Sequence, residues 1–178
     1  MKKEIDVFDY ADEILKAVKT GVLLTTKSGE KVNAMTISWG TLGIEWATPI
    51  FTVFVRENRF TRRLLEENPE FTVNIPRGVF DKRILGFCGT KSGRETDKIK
   101  ELGLTLEAPK LVSVPGIREL PLTLECKVVY KQTQDPGAIT AANKRKFYPQ
   151  DVDSLFYGSN KDFHTAYYGE IVGAHIIQ

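Results

Sequence analysis

The densest chemistry in this chain lies in VRENRFT, residues 55–61. Arg56 ends an apolar run, Arg59 follows in the turn, and Thr61 stands where a helix begins. Two guanidiniums, a hydroxyl and the unpaired N–H groups of a helix N-terminus suit a phosphate dianion, because all of them present donors or positive charge to the same oxygens. The plainer reading is a solvated turn whose threonine caps the helix. A second stretch, VNAMTISWG at 32–40, sets Asn33, Thr36 and Ser38 among apolar residues and ends on Trp39 and Gly40. Such a strand can offer hydroxyl and backbone hydrogen bonds to a flat heterocycle, with Trp39 as an aromatic wall. The competing reading is a barrel strand whose Thr and Ser face water.

The run GFCGTKSG, residues 86–93, is not a nucleotide P-loop. That loop needs G-x-x-x-x-G-K-[ST] after a strand, whereas Thr90 separates Gly89 from Lys91 and the preceding FDKRIL reads as helical. What remains is a small anion-binding turn or a structural loop. GTKSG also departs from G-x-S-x-G, so Ser92 is no nucleophile-elbow serine. Of the two histidines, His175 lies in an apolar terminal run and reads as packed, while His164 in DFHTAYYG is freer to face a pocket. Cys88 has no activating pair beside it and reads as a small buried residue before a redox thiol. Cys88 and Cys126 make neither a disulfide framework nor metal-site spacing, which fits a reducing cytoplasm and predicts no metal centre. No catalytic residue emerges from these patterns.

The elements that must position these groups are legible from periodicity. Phe8, Ala11, Leu15 and Val18 recur at helical spacing and predict an amphipathic helix over about 6–19. VLLTT and KVNAMTIS predict two strands joined by a KSGE turn, and PIFTVFVR a strand packed on both faces. TRRLLEEN predicts a short helix stopped at Asn68-Pro69, before the strand EFTVNIP. DKRILGFCG and ETDKIKELG read as two short helices. From Leu122 the alternation predicts a half-exposed strand, with Leu122, Leu124, Cys126, Val128 and Tyr130 on one side and Thr123, Glu125, Lys127 and Lys131 on the other. PGAITAANKRKFYP predicts a helix and AYYGEIVGAHII the last strand. Six or so strands, with helices too scattered for regular crossovers, predict a mainly β protein, a β-barrel with helical excursions, in one domain over 1–178. The net charge of +2, from 25 basic and 23 acidic residues interspersed along the chain, predicts neither a nucleic-acid nor a membrane-surface role. There is no secretory signal pattern, and no run approaches the ~20 apolar residues that cross a bilayer.

In order, VNAMTISWG, PIFTVFVRENRFTRRLLEENPEFTVNIP, CGTKSGRETDKIKELGLTLEAPKL, LPLTLECKVVY and YYGEIVGAHI resemble the flavin reductase-like FMN-binding split barrels, and within them flavoredoxin-type proteins. The succession of blocks from about Thr20 onward carries the likeness. It implies non-covalent FMN, commonly in a homodimer with the flavin near the subunit interface. Asn33, Met35, Thr36, Ile37, Ser38 and Trp39 would border the isoalloxazine and ribityl chain. Arg56, Arg59 and Thr61 would lie near the phosphate, while Cys88, Gly89 and the GTKSG loop approach the ring or its edge. Lys98 matches a family lysine and would place positive charge near the flavin, favouring its anionic reduced form. From the residues alone, Lys98 is a surface partner of Glu101. His164 and Tyr168 would reach a pocket across the dimer. The implied function is an oxidoreductase passing electrons from NAD(P)H through bound flavin to an acceptor. The alternative is an FMN electron carrier acting with redox protein partners, and a storage or sensing module is a third. No G-x-G-x-x-G fingerprint follows a strand, so NAD(P)H use has no motif of its own.

Overall fold

The computed structural model describes residues 1–153 and 159–178. Short β1 (Lys2–Glu4) leads through a single 3₁₀ turn into α1 (Ala11–Thr20). α1 buries Ile14 and Val18 but leaves Leu15 exposed, and Phe8, in the 3₁₀ turn before it, is exposed too. The stripe is therefore rotated from the one the periodicity predicts. β2 (Val22–Ser28) and β3 (Lys31–Ile37) form the expected hairpin, with Gly29 at φ 53° in its turn. The next hairpin, β4 (Gly40–Glu45) with β5 (Thr48–Arg56), was not legible. Its two central residues, Trp46 and Ala47, both adopt positive φ, a conformation usually signalled by Asn-Gly or Asp-Gly.

The remaining strands are β6 (Glu70–Ile75), β9 (Leu122–Thr133) and β10 (His164–Ile177), with a small separate pair β7 (Leu106–Glu107) and β8 (Gly116–Ile117). The helices are α2 (Phe60–Glu67), ended at Asn68 as expected, α3 (Arg83–Thr90), α4 (Lys98–Leu102) and α5 (Ala141–Phe147). Only the second half of the predicted 136–149 helix forms, started by Thr140, whose hydroxyl accepts from the Asn143 N–H at 3.4 Å.

The sheet is antiparallel throughout and runs β3-β2-β6-β9-β10-β5-β4, with β1 added beside β10. It is mainly β with helical excursions, as expected, and it is curled but not closed. β10 lies in its interior, paired to β9 on one side and β5 on the other. Two register shifts, at Tyr168/Gly169 and Ile171/Gly173, bend it. Gly169 allows the bend to pack: a Cβ there would meet Phe71 Cε1 at 2.7 Å and Cys126 Cβ at 2.9 Å.

The main core lies inside the curl, where Phe51, Val53, Phe71, Val73, Leu124 and Tyr167 meet α1. A second cluster, built on Leu23, Ala34, Ile84, Cys88 and Ile117, lies under α3 and α4. One expectation about β9 is corrected here. Thr123 and Glu125 are buried rather than exposed, because the chain between α4 and β9 folds across them. The Glu125 carboxylate accepts the backbone N–H groups of Lys110 at 2.9 Å and Leu111 at 2.6 Å, which holds that excursion down. Only from Lys127 onward is β9 largely exposed.

Candidate functional site

The two edges of the open sheet, β3 and β4, are consecutive in the chain and joined only by Ser38 and Trp39. Three Cα–Cα steps of about 3.8 Å let the edges stand no more than about 11 Å apart at that point. A cleft of ≈ 220 Å³ opens beside this seam. Its lining brings together Met35, Thr36, Ile37, Ser38 and Trp39 with Arg56, Arg59, Gly89 and His164, and adds Phe54. It runs into a recess of ≈ 20 Å³ through the shared residues Met35, Arg59 and Gly89. The recess gathers Asn33, Thr61, Cys88 and Lys98, together with Asn58, Phe60 and the Lys91–Gly93 end of the GTKSG loop.

Local chemistry explains why these elements converge. The Thr36 hydroxyl donates to the Leu85 carbonyl at 2.7 Å, tying β3 to α3. Asn33 Nδ2 donates to Thr61 Oγ1 at 3.0 Å, and the Thr61 hydroxyl in turn points at Met35 Sδ, 3.6 Å away. These contacts hold the start of α2 against β3, so Thr61 serves as a tie rather than as the predicted helix cap. Arg59 occupies the N-cap position. At Gly93 the loop passes so close that a Cβ would lie 2.8 Å from Phe60 Cδ1 and nearer still to Asn33 Oδ1. Only glycine lets the backbone come this near the recess.

Arg56 is anchored rather than extended. Its Nη1 donates to the carbonyls of Asn160 at 3.1 Å and Asp162 at 2.6 Å, and its Nη2 to that of Phe147 at 2.9 Å. The guanidinium also lies 5.0 Å from the Tyr148 ring centroid. Arg56 thus ties Phe147, Asn160 and Asp162 to the end of β5 while forming part of the cleft wall.

Lys98 is buried, not the surface partner of Glu101 that the residues alone allow. Burial lowers its pKa to about 8, with Arg59 and Lys31 adding repulsion and Cys88 opposing it. Its Nζ donates to the Cys88 carbonyl at 3.3 Å. The Cys88 thiol is pushed up by burial despite Lys98, so it is a protonated wall residue rather than an activated thiol. His164 is lowered to about 3 by burial, reinforced by Arg56 and Arg59, so its ring is neutral. That ring packs 4.9 Å from Trp39, which meets Phe147 edge-on at 5.2 Å.

Tyr168 is the one predicted residue the fold keeps away from both cavities. It faces Tyr130 at 5.2 Å, which in turn meets Trp46 at 6.3 Å, in an aromatic row on another part of the sheet. Phe54, Asn58 and Phe60 were missed. Phe54 carried a signal, being a large aromatic next to the last turn of a strand otherwise read as core. Asn58 is held at the recess by its backbone N–H, which donates to Asp162 Oδ2 at 2.8 Å, a long-range contact that no local pattern announces.

Residues 15–178 match the family model described as a flavin reductase like domain. An uncharacterized protein of Archaeoglobus fulgidus is 36% identical over 100 residues, which cover 56% of this chain and 55% of that protein. The matched region thus spans about half the length of that relative. Among solved structures, a flavoredoxin from Methanosarcina acetivorans superposes with a TM-score of 0.65 at 24% identity, over 89% of this chain and 68% of that one. An FMN-binding domain of a flavin reductases-like enzyme from Shewanella baltica OS155 gives 0.64 at 16% identity, over 99% of this chain and 77% of that one. At these identities the superpositions establish a shared fold.

Proposed function

The chain belongs to the flavin reductase-like domain family, and on that premise we propose that the seam cleft binds FMN and that the protein passes electrons from NAD(P)H through the flavin to an acceptor. One observation carries this reading. A cleft walled by Met35, Ile37, Trp39 and Phe54 runs into a recess where Arg59, Lys98 and Thr61 meet at the start of α2. FMN has the same polarity, a flat heterocycle joined by a polyhydroxy chain to a phosphate dianion. The residues fit the group at both ends. Lys98 is a buried cation without a carboxylate beside it among the described residues, and Gly93 lets the GTKSG backbone close against Asn33 and Phe60 at the wall of the same recess.

Arg59 and Lys98 would hold the dianion, with the first N–H groups of α2 completing the donor set. This moves Lys98 from the ring, where resemblance alone put it, to the phosphate end it shares with Arg59 and Thr61. Residues Met35–Trp39 and Phe54 would border the ring and keep water from it, and Arg56 would hold Phe147, Asn160 and Asp162 in place beside the site. When bound, the flavin supplies the redox chemistry, and the protein supplies orientation and electrostatics.

The second reading is a flavoredoxin-type carrier that exchanges electrons with redox proteins without NAD(P)H turnover. It is favoured by Trp39, which stands 38% exposed between cleft and solvent and gives a partner a short approach. A homodimer belongs to either reading. Its support is a mostly apolar groove of ≈ 450 Å³ beside the cleft, formed by Leu15, Val18, Trp39, Gly40 and Phe54 with Lys19, Ser38 and Gln134. A reducing cytoplasm is proposed because Cys88 and Cys126 are both free and buried. Among the described residues no helix is long and apolar enough to cross a membrane.

An anaerobic absorbance scan of the protein with FMN, before and after NADH and then NADPH, tests the proposal. Prompt bleaching of a flavin spectrum supports the reductase. A spectrum that persists with both nucleotides favours the carrier, and failure to bind added FMN ends the flavin reading.

A further inference from the structure

Four hydrogen-bonding groups beside the cleft fix one another's protons in sequence. The backbone N–H of His164 is a donor whatever the side chains do, and it lies 3.1 Å from Gln134 Oε1. That contact settles the orientation of the Gln134 amide, since a flipped side chain would set an NH₂ against an N–H. The same Oε1 lies 2.9 Å from the Tyr148 hydroxyl. Two oxygens at that distance need a proton between them, and the amide oxygen has none, so the single tyrosine proton goes to Gln134. The Tyr148 oxygen also lies 2.8 Å from His164 Nδ1. With its own proton committed, the hydroxyl accepts there, and Nδ1 must carry the hydrogen.

We infer that Gln134 and Tyr148 are positioning residues that lock His164 as its Nδ1–H tautomer, so that the cleft receives Nε2 as a hydrogen-bond acceptor selecting ligands with a matching N–H donor. The setting makes this acceptor distinctive, because the positively charged residues Arg56 and Arg59 line the same cleft. The relay is rigid. Tyr148 is buried, stacked on Phe163 at 4.8 Å and covered by the Arg56 guanidinium. Gln134 is pinned by its own N–H to the His164 carbonyl at 3.0 Å. Neutral imidazole offers one donor and one acceptor, and the second partner decides which nitrogen faces the ligand.

The ligand class rests on the FMN reading. The oxidised isoalloxazine has a single N–H, the imide between its two carbonyls, and that is the donor assigned to His164 Nε2. The tautomer itself is independent of FMN and is read first. Nitrogen-15 NMR of the ligand-free protein need resolve only His164 and His175. A protonated Nδ1 and bare Nε2 at His164 are expected, and a protonated Nε2 overturns the proposal. Tyr148→Phe should release the ring to a mixture of tautomers; should that variant fail to fold, the wild-type spectrum still decides. Fluorescence titration with FMN and 3-methyl-FMN then tests the ligand. The methylated analogue should bind the wild type at least about tenfold more weakly, as loss of a hydrogen bond to a buried acceptor predicts. That ratio should collapse in Tyr148→Phe. Equal affinity of the wild type for both flavins overturns the imide assignment. Failure of either flavin to bind a protein with the expected tautomer overturns the FMN reading and leaves the locked acceptor standing.

Discussion

Replacing Lys98 by methionine should move stability and ligand affinity in opposite directions. The ammonium is buried in the recess, and burial lowers its pKa from 10.5 to about 8. At about 1.36 kcal/mol per pH unit, holding it charged at pH 7 costs the ligand-free fold about 3 kcal/mol. The unfolded chain keeps that proton up to pH 10.5, whereas the folded chain releases it near pH 8. The unfolded state therefore binds more protons between those limits, and this lysine's cost is complete below pH 8 and relieved progressively up to pH 10.5. Lys98→Met leaves the Cys88 carbonyl without its donor, which takes back roughly 1 kcal/mol. Urea unfolding of the ligand-free proteins at pH 7 should then show the variant more stable by about 2 kcal/mol, a margin that shrinks above pH 8 and reverses to roughly 1 kcal/mol in favour of the wild type near pH 10.5, where only the lost Cys88 contact remains. FMN binding should weaken by ~1.5–3 kcal/mol, tenfold or more, because a charge-assisted contact is lost. A variant no more stable than wild type at pH 7, or a margin that ignores pH, would refute the buried cation. Stabilisation with unchanged FMN affinity would remove Lys98 from the phosphate site.

Other outcomes follow from single contacts. Arg59→Ala should raise the FMN dissociation constant by a similar tenfold or more in fluorescence titration, and an unchanged constant takes Arg59 out of the site. Gly169→Ala forces a Cβ against Phe71 and Cys126. Overpacking of this kind costs ~1–3 kcal/mol, and calorimetry should show a melting temperature lower by roughly 2–4 °C per kcal/mol. Light scattering of the flavin-loaded protein should give twice the monomer mass, and a monomer would contradict the proposed dimer.

The sequence exposed most of the sheet because its signals are local. Period-two alternation and turn residues mark β2, β3, β5, β6 and the start of β9 whatever surrounds them. The β4–β5 hairpin escaped because Trp46-Ala47 is not a sequence that advertises two positive φ values. The polar face of β9 was misjudged for a different reason. Thr123 and Glu125 look solvated until the segment holding Lys110 and Leu111, distant in sequence, folds over them. At the site, residue types pointed to the β3 strand and the Arg59–Thr61 turn. No local pattern could show that Lys98 shares their recess, that Arg56 is tied to three carbonyls, or that Tyr168 belongs to another aromatic row. Those facts depend on how distant elements pack.

The interior place of β10 bears on how the molecule is made. Until this strand is synthesised, β3-β2-β6-β9 and the β4–β5 hairpin are two fragments of sheet joined through the Ser38–Trp39 tether. Each presents an unpaired edge, on β9 and on β5, of the kind that recruits strands from neighbouring chains. Insertion of β10 seals both edges in one step and sets His164 opposite Arg56, 108 residues earlier in the chain. Pairing at such separation is slow, since its loop entropy must be lost before any contact rewards it. Acquiring a complete binding cleft and losing the two sticky edges are therefore one event. A nascent chain whose cleft is complete is also one past its most aggregation-prone stage.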